Sequence, residues 1–414
     1  MRVLLCHTRY RVRGGEDESF AAEGEMLERH GHDVIRFVRD NDSLEAMAPM
    51  AKAARTVWNH AIYRELRDLM RRERPDVLHC TNLFPLLSPA PYYAAARANV
   101  PVVQSLRNYR LSCLNAFFFR DGKVCESCLG RTVAWPGIVR GCYRESRASS
   151  AVVAAMISTH RLVGSWSRRV HQYFAVSQFA KEKLAAAGVP SDRIAVKPNF
   201  VHPDPGIGSG RGRYAVFVGR LSPEKGIETL LETWQQHDLP VSLRIVGDGP
   251  LSDRVASMAH REPSIEWLGR RPASEVLDII GEAEMLIMPS RWFETFGRTI
   301  VEAFAKGTPV IASNLGAMAE LIDHNRNGLL VSPGQPDELA RAVRSMASDD
   351  LLRARLRRAA RAAFLEHYTE DRNHGLLMDI YRAAMTRAGR TDGTDRERPV
   401  AGSAEPAPGE AVHG

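Results

Sequence analysis

Two glutamates eight residues apart, Glu294 and Glu302, have the spacing and setting of groups that could act on one bound ligand. The apolar run 285–288 before them predicts a buried strand, and residues 299–306 predict a helix. Glu294 then lies in the loop between strand and helix. Glu302 lies on the helix, where its side chain leans back over the first turn. The same spacing also occurs on solvated helix faces, so the pair alone does not indicate a site.

The loop between this strand and this helix has the features of an anion site. In an open α/β sheet, ligands bind beyond the carboxyl ends of the strands, where a helix start presents unpaired backbone N–H groups. Phe296 and Gly297 fall at that start, so their amides could bind a diphosphate. Glu294 would then lie near the reacting end of a phosphorylated ligand, and Glu302 near its far end.

Two further strand-to-helix loops carry residues suited to phosphate. Arg220 and Lys225 follow the predicted strand 214–219, and two cations there can stabilise the negative charge that grows on a departing diphosphate. Alternatively, Arg220 and Lys225 could simply form ion pairs on the protein surface. Gly14 and Gly15 follow the first predicted strand, and their lack of side chains lets a ligand approach the backbone. An ordinary strand-to-helix turn explains this glycine pair equally well.

Together with the strand and glycine-bearing loop at 307–316, these motifs resemble the retaining glycosyltransferases of family 4, which have the GT-B fold and a Glu, seven residues, Glu motif. The resemblance extends over nearly the whole chain. It implies an α/β fold of two doubly wound, Rossmann-like domains that face an interdomain cleft. It also implies sugar transfer from a UDP- or GDP-sugar to a hydroxyl of a saccharide or lipid-linked acceptor, with retention at the anomeric carbon. The expected setting is cell-surface polysaccharide or glycoconjugate biosynthesis.

The resemblance also implies roles for individual residues. Glu294 would contact the donor sugar during catalysis, with Arg220 and Lys225 at the leaving diphosphate. The nucleotide-sugar donor would be bound by Gly14, Gly15, Asn199, Gly219, Gly269, Arg270, Phe296, Gly297, Arg298, Thr299 and Glu302. Of these, Glu302 would accept hydrogen bonds from the ribose hydroxyls. The acceptor side would include His79, Asn82 and Arg107, and no divalent metal is expected for catalysis.

Arg107 departs from the family branch that the chain resembles, which usually has histidine at this position. Arginine does not transfer protons at neutral pH, but it binds a phosphate or a carboxylate well. Two other interpretations therefore stay open. One is a non-catalytic protein that binds a nucleotide sugar, and the other is a different GT-B enzyme, such as a sugar-nucleotide epimerase or a phosphorylase.

A stretch at 107–145 predicts an insertion in the first domain that contains Cys113, Cys125, Cys128 and Cys142. Four thiolates suit zinc or, less often, an iron–sulfur cluster, and Cys125 and Cys128 have the spacing of two ligands to one ion. Only one tight pair is present, so a redox pair and reduced surface thiols are the alternatives. A structural zinc would serve to fold the insertion beside the acceptor.

The length of 414 residues is too great for one ordinary core. We expect an acceptor-binding domain at 1–200 and a nucleotide-sugar-binding domain at 213–366. Residues 367–388 would form a helix that crosses back to the first domain. Residues 389–414, which are polar with Pro and Gly, would form a disordered tail.

The formal net charge of +7 raises the question of an anionic partner. Basic residues are not interleaved with aromatics, so we expect no nucleic-acid partner. Peripheral contact with an anionic membrane fits the charge, as do phosphorylated substrates and solvated helix faces. The apolar helix predicted at 151–166 could lie on such a membrane or in a core. No apolar run is long enough to span a bilayer. The expected compartment is the cytoplasm, with or without contact at the inner face of the membrane.

Overall fold

The computed structural model describes residues 1–10, 14–41 and 47–389. The elements of the first half are β1 (Arg2–Arg9), α1 (Gly15–Arg29), β2 (Asp33–Asp40), α2 (Pro49–Val57), α3 (His60–Glu73), β3 (Val77–Cys80), α4 (Ala90–Ala98), β4 (Val102–Leu106), β5 (Phe119–Arg120), β6 (Lys123–Val124), α5 (Trp135–Val139), α6 (Arg147–Leu162), α7 (Ser165–Arg168), β7 (Gln172–Ala175), α8 (Gln178–Ala186) and β8 (Ile194–Val196). Those of the second half are β9 (Tyr214–Val218), α9 (Ile227–Gln236), β10 (Ser242–Val246), α10 (Ser252–Arg261), β11 (Ile265–Gly269), α11 (Ala273–Glu282), β12 (Met285–Met288), α12 (Arg298–Ala305), β13 (Val310–Ser313), α13 (Ala317–Leu321), β14 (Gly328–Val331), α14 (Pro336–Ser348), α15 (Asp350–His367) and α16 (Glu370–Arg387).

Two six-stranded sheets organise the two halves. The first has the strand order β2-β1-β3-β4-β7-β8 and the second β11-β10-β9-β12-β13-β14. Every pairing within these sheets is parallel. In both sheets the strand order reverses direction beside the first strand of the half, as in a doubly wound fold, and ligands bind at such a switch point.

Burial explains why these short apolar runs form central strands. All four residues of β3 and of β12 are buried, which is expected where helices cover both faces of a parallel sheet. The predicted GT-B architecture, with two Rossmann-like halves, is confirmed. The predicted domain limits at 200, 213 and 366 stay predictions, and residues 390–414 of the predicted tail lie outside the described residues.

The chain crosses between the two halves twice. The first crossing, 197–213, follows β8, and the second joins α15 to α16. The crossings run side by side, because the backbone N–H of Val201 donates to the carbonyl oxygen of Tyr368 at 3.1 Å. Helix α16 then packs on the first sheet, where Leu377 and Tyr381 share a core with Val3. The helix predicted at 367–388 therefore corresponds to α16.

In the part of the chain that the structure describes, every helix is too short or too polar to cross a membrane. The stretch predicted as an apolar helix at 151–166 is divided between α6 and α7. Val153, Ile157 and other residues of α6 are buried in a core, so this helix has a packing role within the first half.

Candidate functional site

A cavity of about 380 Å³ lies between the two halves and is called the cleft below. It brings together many of the residues singled out from the sequence. Its walls include Gly14, Gly15, Arg107 and Asn199 from the first half, and Gly219, Lys225, Glu294, Phe296, Gly297, Arg298 and Thr299 from the second half. The carboxyl ends of the strands and the start of α12 meet there, as the doubly wound topology requires.

The Glu294 carboxylate is held by two donors. Its Oε1 atom accepts hydrogen bonds from Lys225 Nζ at 2.6 Å and from Ser290 Oγ at 2.8 Å. The Glu294 side chain is only 7% exposed, whereas that of Lys225 is 23% exposed and its Nζ also lies 5.3 Å from the centre of the Trp292 ring. The ammonium group is therefore fixed between a carboxylate and an aromatic face at the edge of the cleft, where a phosphate can reach it.

The start of α12 has a backbone that favours glycine. Gly297 caps the helix with φ of 98°, and a Cβ atom there would lie 3.0 Å from Ile300 Cδ1. One turn later the Glu302 carboxylate accepts a hydrogen bond from Arg298 Nε at 2.9 Å. This contact draws Glu302 back toward the first turn, as expected from its place on the helix. Residues 296–299, where a helix start leaves backbone N–H groups without helical partners, line the cleft.

Four predicted donor-site residues, Arg220, Gly269, Arg270 and Glu302, do not line the cleft. Arg220 and Arg270 are exposed, and neither they nor Gly269 belong to the cleft wall. Gly269 has a backbone role, because its carbonyl oxygen accepts a hydrogen bond from the Gly247 N–H at 2.8 Å. Their expected contacts with a donor stay predictions.

His79, expected on the acceptor side, is buried and does not line the cleft. Its side chain is 1% exposed, its Nδ1 lies 2.9 Å from the Tyr381 hydroxyl, and its Nε2 lies 3.9 Å from Glu23 Oε2. Burial lowers the pKa of His79 to about 4, against the opposing effect of Glu23. The imidazole is therefore a neutral group that anchors α16 beneath the first sheet's carboxyl edge.

Arg107 belongs to a buried charge cluster with Glu23 and Lys197. Glu23 Oε1 accepts hydrogen bonds from Arg107 Nη2 at 2.7 Å and from Lys197 Nζ at 2.5 Å. Burial raises the pKa of the Glu23 carboxyl, but the two cations outweigh it and lower the pKa to about 2. Arg107 Nη1 also donates to Asn199 Oδ1 at 2.5 Å, which links the cluster to the cleft.

Asn82 lies in a second, smaller cavity of about 70 Å³, called the side cavity below. The side cavity adjoins the cleft, since Glu16, Arg107, Asn108 and Arg110 line both. Its remaining wall comes from the first half and is largely apolar, with Phe84, Tyr92 and Trp166 among its side chains. The side-chain amide of Asn82 donates to the Thr8 carbonyl oxygen at 2.8 Å.

Several site residues were not found from the sequence. Glu23 is in the interior of α1, where nothing local distinguishes it from a solvated glutamate. Ser290 is an ordinary loop serine. Lys197 had a usable signal, because it follows β8 at the carboxyl edge of the first sheet, where cleft residues collect.

The cysteine-containing insertion packs against the Glu294 loop. The Phe117 and Trp292 rings meet edge to face with centres 5.1 Å apart. The Tyr109 hydroxyl lies 3.5 Å from the carbonyl oxygen of Glu294, and Phe118 contacts Phe293 at 6.5 Å between ring centres. These contacts bridge the two halves across the cleft.

All four insertion cysteines line one cavity of about 20 Å³, and none forms a disulfide. Their thiols do not have the arrangement of a metal site, because no group of three or more Cys, His, Asp or Glu side chains among the described residues could hold an ion as placed. Local partners orient two of them, Asn115 Oδ1 at 2.9 Å from Cys113 Sγ and Ser127 Oγ at 3.4 Å from Cys125 Sγ. Burial raises the pKa of Cys128 to about 11. The predicted metal centre stays a prediction.

Two family models match consecutive parts of the chain. The model described as Glycosyltransferase Family 4 matches residues 14–205, and the one described as Glycosyl transferases group 1 matches residues 207–363. The chain belongs to glycosyltransferase family 4.

Curated members of the family align over part of their length. An uncharacterised glycosyltransferase of Methanocaldococcus jannaschii is 28% identical over 243 residues, 53% of this chain and 62% of that protein. The glycogen synthase of Mycobacterium tuberculosis is 31% identical over 41% of this chain and 42% of its own. A D-inositol 3-phosphate glycosyltransferase of Streptomyces avermitilis is 29% identical over 54% and 52%. The chain thus spans about half of the length of the curated relatives it matches.

Solved glycosyltransferase structures resemble this one over almost their whole length. The Anabaena protein HepE in complex with UDP has a TM-score of 0.65 at 18% identity, covering 92% of this chain and 99% of its own. Sucrose-phosphate synthase of Thermosynechococcus elongatus has a TM-score of 0.68 at 15% identity, covering 93% and 99%. At such identities the likeness shows the shared fold.

Proposed function

We propose that this family 4 member is a retaining glycosyltransferase that moves a sugar from a nucleotide-diphosphate sugar to a hydroxyl group of a saccharide or lipid-linked acceptor. The observation that carries the proposal is the Lys225–Glu294 pair at the cleft edge, beside the amides of α12. A cation, a helix start and a carboxylate on one wall suit a diphosphate and the sugar attached to it. Polysaccharide or glycoconjugate synthesis is the setting that fits such a reaction.

The donor would lie along the second half. Its diphosphate would contact Lys225 and the Gly297 and Arg298 amides, and Glu302 would accept hydrogen bonds from the ribose. The complexes of HepE with UDP and with UDP-glucose support a nucleotide-sugar donor in this fold. The base can be uracil or guanine. Arg220 would contact the diphosphate and Arg270 the base.

The reaction would form a bond between the acceptor oxygen and the anomeric carbon as the bond from that carbon to the diphosphate breaks. The acceptor proton would pass to the departing phosphate oxygen on the same face of the sugar. Lys225 would stabilise the growing charge on the diphosphate, in place of a divalent metal ion. Glu294, fixed by Ser290, would contact the donor sugar near its reacting face.

Thermal unfolding with UDP-glucose and GDP-mannose tests the donor assignment. A ligand at 100 times its dissociation constant stabilises by about 2.7 kcal/mol, enough to raise Tm by a few degrees. We expect one of the two nucleotide sugars to do so for the wild type and not for Glu302→Ala. The exposed Glu366 of α15 supplies the matched control, since Glu366→Ala should keep the shift. No shift with any nucleotide sugar would contradict the proposal.

Product stereochemistry tests retention. We expect the α-configured donor to give an α-linked product by NMR, and a β-linked product would contradict the retaining mechanism.

Peripheral membrane contact is a separate proposal, supported by the net charge of +7. Flotation with vesicles that contain anionic lipid tests it, and a chain that stays entirely in the unbound fraction would contradict it.

A further inference from the structure

Beside the cleft, two buried basic side chains share one carboxylate, so with both protonated the cluster has one positive charge in excess, although burial lowers the pKa of Lys197. Arg107 and Lys197, with side chains 5% and 0% exposed, both bind the single carboxylate of Glu23. The neighbouring His79, whose Nε2 lies 3.9 Å from Glu23 Oε2, is neutral because burial lowers its pKa to about 4. A buried charge without a partner is unfavourable, and in such surroundings it attracts an anion strongly.

Glu16 and Arg110, the other charged residues that line both the cleft and the side cavity, do not contact this cluster. Glu16 is occupied by the Tyr10 hydroxyl at 2.7 Å and by the Asn108 amide at 3.1 Å. Arg110 donates to the Leu114 carbonyl oxygen and lies over the Phe84 ring, 4.5 Å from its centre. The surplus charge is therefore centred on Arg107, the member of the cluster that lines the two cavities.

Two donors on the wall of the side cavity have no partner. Arg107 uses Nη1 and Nη2 for Asn199 and Glu23, but its buried Nε–H has no acceptor. The hydroxyl of Ser105, a residue 2% exposed, has no partner either. Buried polar groups are nearly always hydrogen-bonded, so two unpaired donors on one cavity wall indicate a bound acceptor atom.

We propose that Arg107 and Ser105 bind an anionic group, a carboxylate or a phosphate, on the sugar acceptor. A guanidinium with a neighbouring hydroxyl suits the oxygens of either group. The apolar walls from Phe84, Tyr92 and Trp166 suit the face of a sugar ring. The acid belongs to the acceptor because the side cavity lies in the first half, away from Lys225 and α12. The inference rests on the proposed function for the ligand being a sugar.

Calorimetry with simple sugars tests the anion subsite without any need for catalysis. D-glucuronate and D-glucose 6-phosphate are compared with neutral D-glucose, each with and without UDP. We expect at least one anionic sugar to bind about 10-fold or more tightly than glucose, and Arg107→Met to remove that preference. Arg341→Met, at an exposed arginine of α14, is the matched control and should keep it.

A second variant guards against damage to the charge cluster. Ser105→Ala leaves Arg107, Glu23 and Lys197 in place, and we expect it to reduce the preference about 3- to 10-fold. Equal binding of anionic and neutral sugars by the wild type, or a preference that survives in both variants, would overturn the inference.

A comparison of two nucleotide sugars tests whether the anionic group belongs to the acceptor or to the transferred sugar. UDP-glucuronate is compared with UDP-glucose in the wild type and in Arg107→Met. A preference confined to the acidic nucleotide sugar would overturn the acceptor assignment and place the anion on the transferred sugar. If no nucleotide binds but the anionic monosaccharides still do, the proposed transferase function fails while the anion subsite stands.

Discussion

Replacing Lys225 with alanine should reveal two separate effects, one on folding and one on catalysis. Its Nζ atom lies 2.6 Å from Glu294 Oε1, and the Glu294 side chain is 7% exposed. Without the lysine, this carboxylate keeps one neutral donor, Ser290 Oγ at 2.8 Å. A buried charge that loses its partner costs about 3–5 kcal/mol. Because the Lys225 side chain is 23% exposed, water can replace part of the interaction, and we expect a loss of about 1–3 kcal/mol in unfolding free energy.

Turnover should fall further than stability. Removing one preorganised donor to a developing charge lowers kcat by about 100-fold or more, because that contact is stronger in the transition state than with the bound donor. Release of nucleoside diphosphate at saturating donor measures this loss, and urea unfolding measures stability.

The double variant Lys225→Ala with Glu294→Gln separates the two effects. A neutral amide needs no counter-ion, so the double variant should recover most of the unfolding free energy of the wild type but none of its turnover. Two results would refute the reasoning. One is unchanged kcat in Lys225→Ala at saturating donor, and the other is a double variant less stable than Lys225→Ala alone.

Three further predictions concern other parts of the site. Gly297→Ala should lower the unfolding free energy by about 1–2 kcal/mol and should also lower nucleotide affinity, because φ is 98° and the new Cβ would crowd Ile300. The control is Gly375→Ala, in the open interior of α16, which should be neutral or stabilising by up to about 1 kcal/mol. His79 has a native pKa of about 4, below its value near 6.5 in the unfolded chain, so its contribution is fully present above pH 6.5 and is lost as pH falls toward 4. Urea unfolding at pH 7 and pH 5 should therefore show a smaller loss of stability in His79→Gln than in the wild type, and equal losses would contradict this account. If the insertion closes on a structural zinc, elemental analysis should find one zinc per wild-type chain and none in Cys125→Ser with Cys128→Ser; a metal-free wild type would favour reduced thiols.

The parts of the site that the sequence predicts are those made by one continuous segment. Glu294, Gly297 and Glu302 belong to a single strand, loop and helix, so local patterns of apolar residues and glycine define their places. Lys225 is similar, since its loop follows one strand. The fold follows from repetition of such units, because alternating strands and helices with apolar strands allow few arrangements other than a parallel sheet.

What the sequence does not predict depends on segments that meet only in the folded chain. The Glu23 carboxylate, from α1, pairs with Arg107 after β4 and Lys197 after β8, and no local pattern records those partners. His79 illustrates the same limit. Its strand end points to the edge of the sheet, but α16 returns from the far end of the chain and covers it with Tyr381.

The two adjacent crossings give the molecule a defined pivot. Segments 197–213 and 367–370 are joined by the Val201–Tyr368 hydrogen bond. The halves are therefore connected by two adjacent chain segments and not by a single linker. Two connections restrict rotation of one half about the other more than one would, and we expect the low-cost motion to be a hinge movement about them. A movement that widens the cleft would separate Phe117 of the first half from Trp292 of the second, whose ring centres are 5.1 Å apart. Breaking that aromatic contact would then add to the free-energy cost of opening the cleft to substrate.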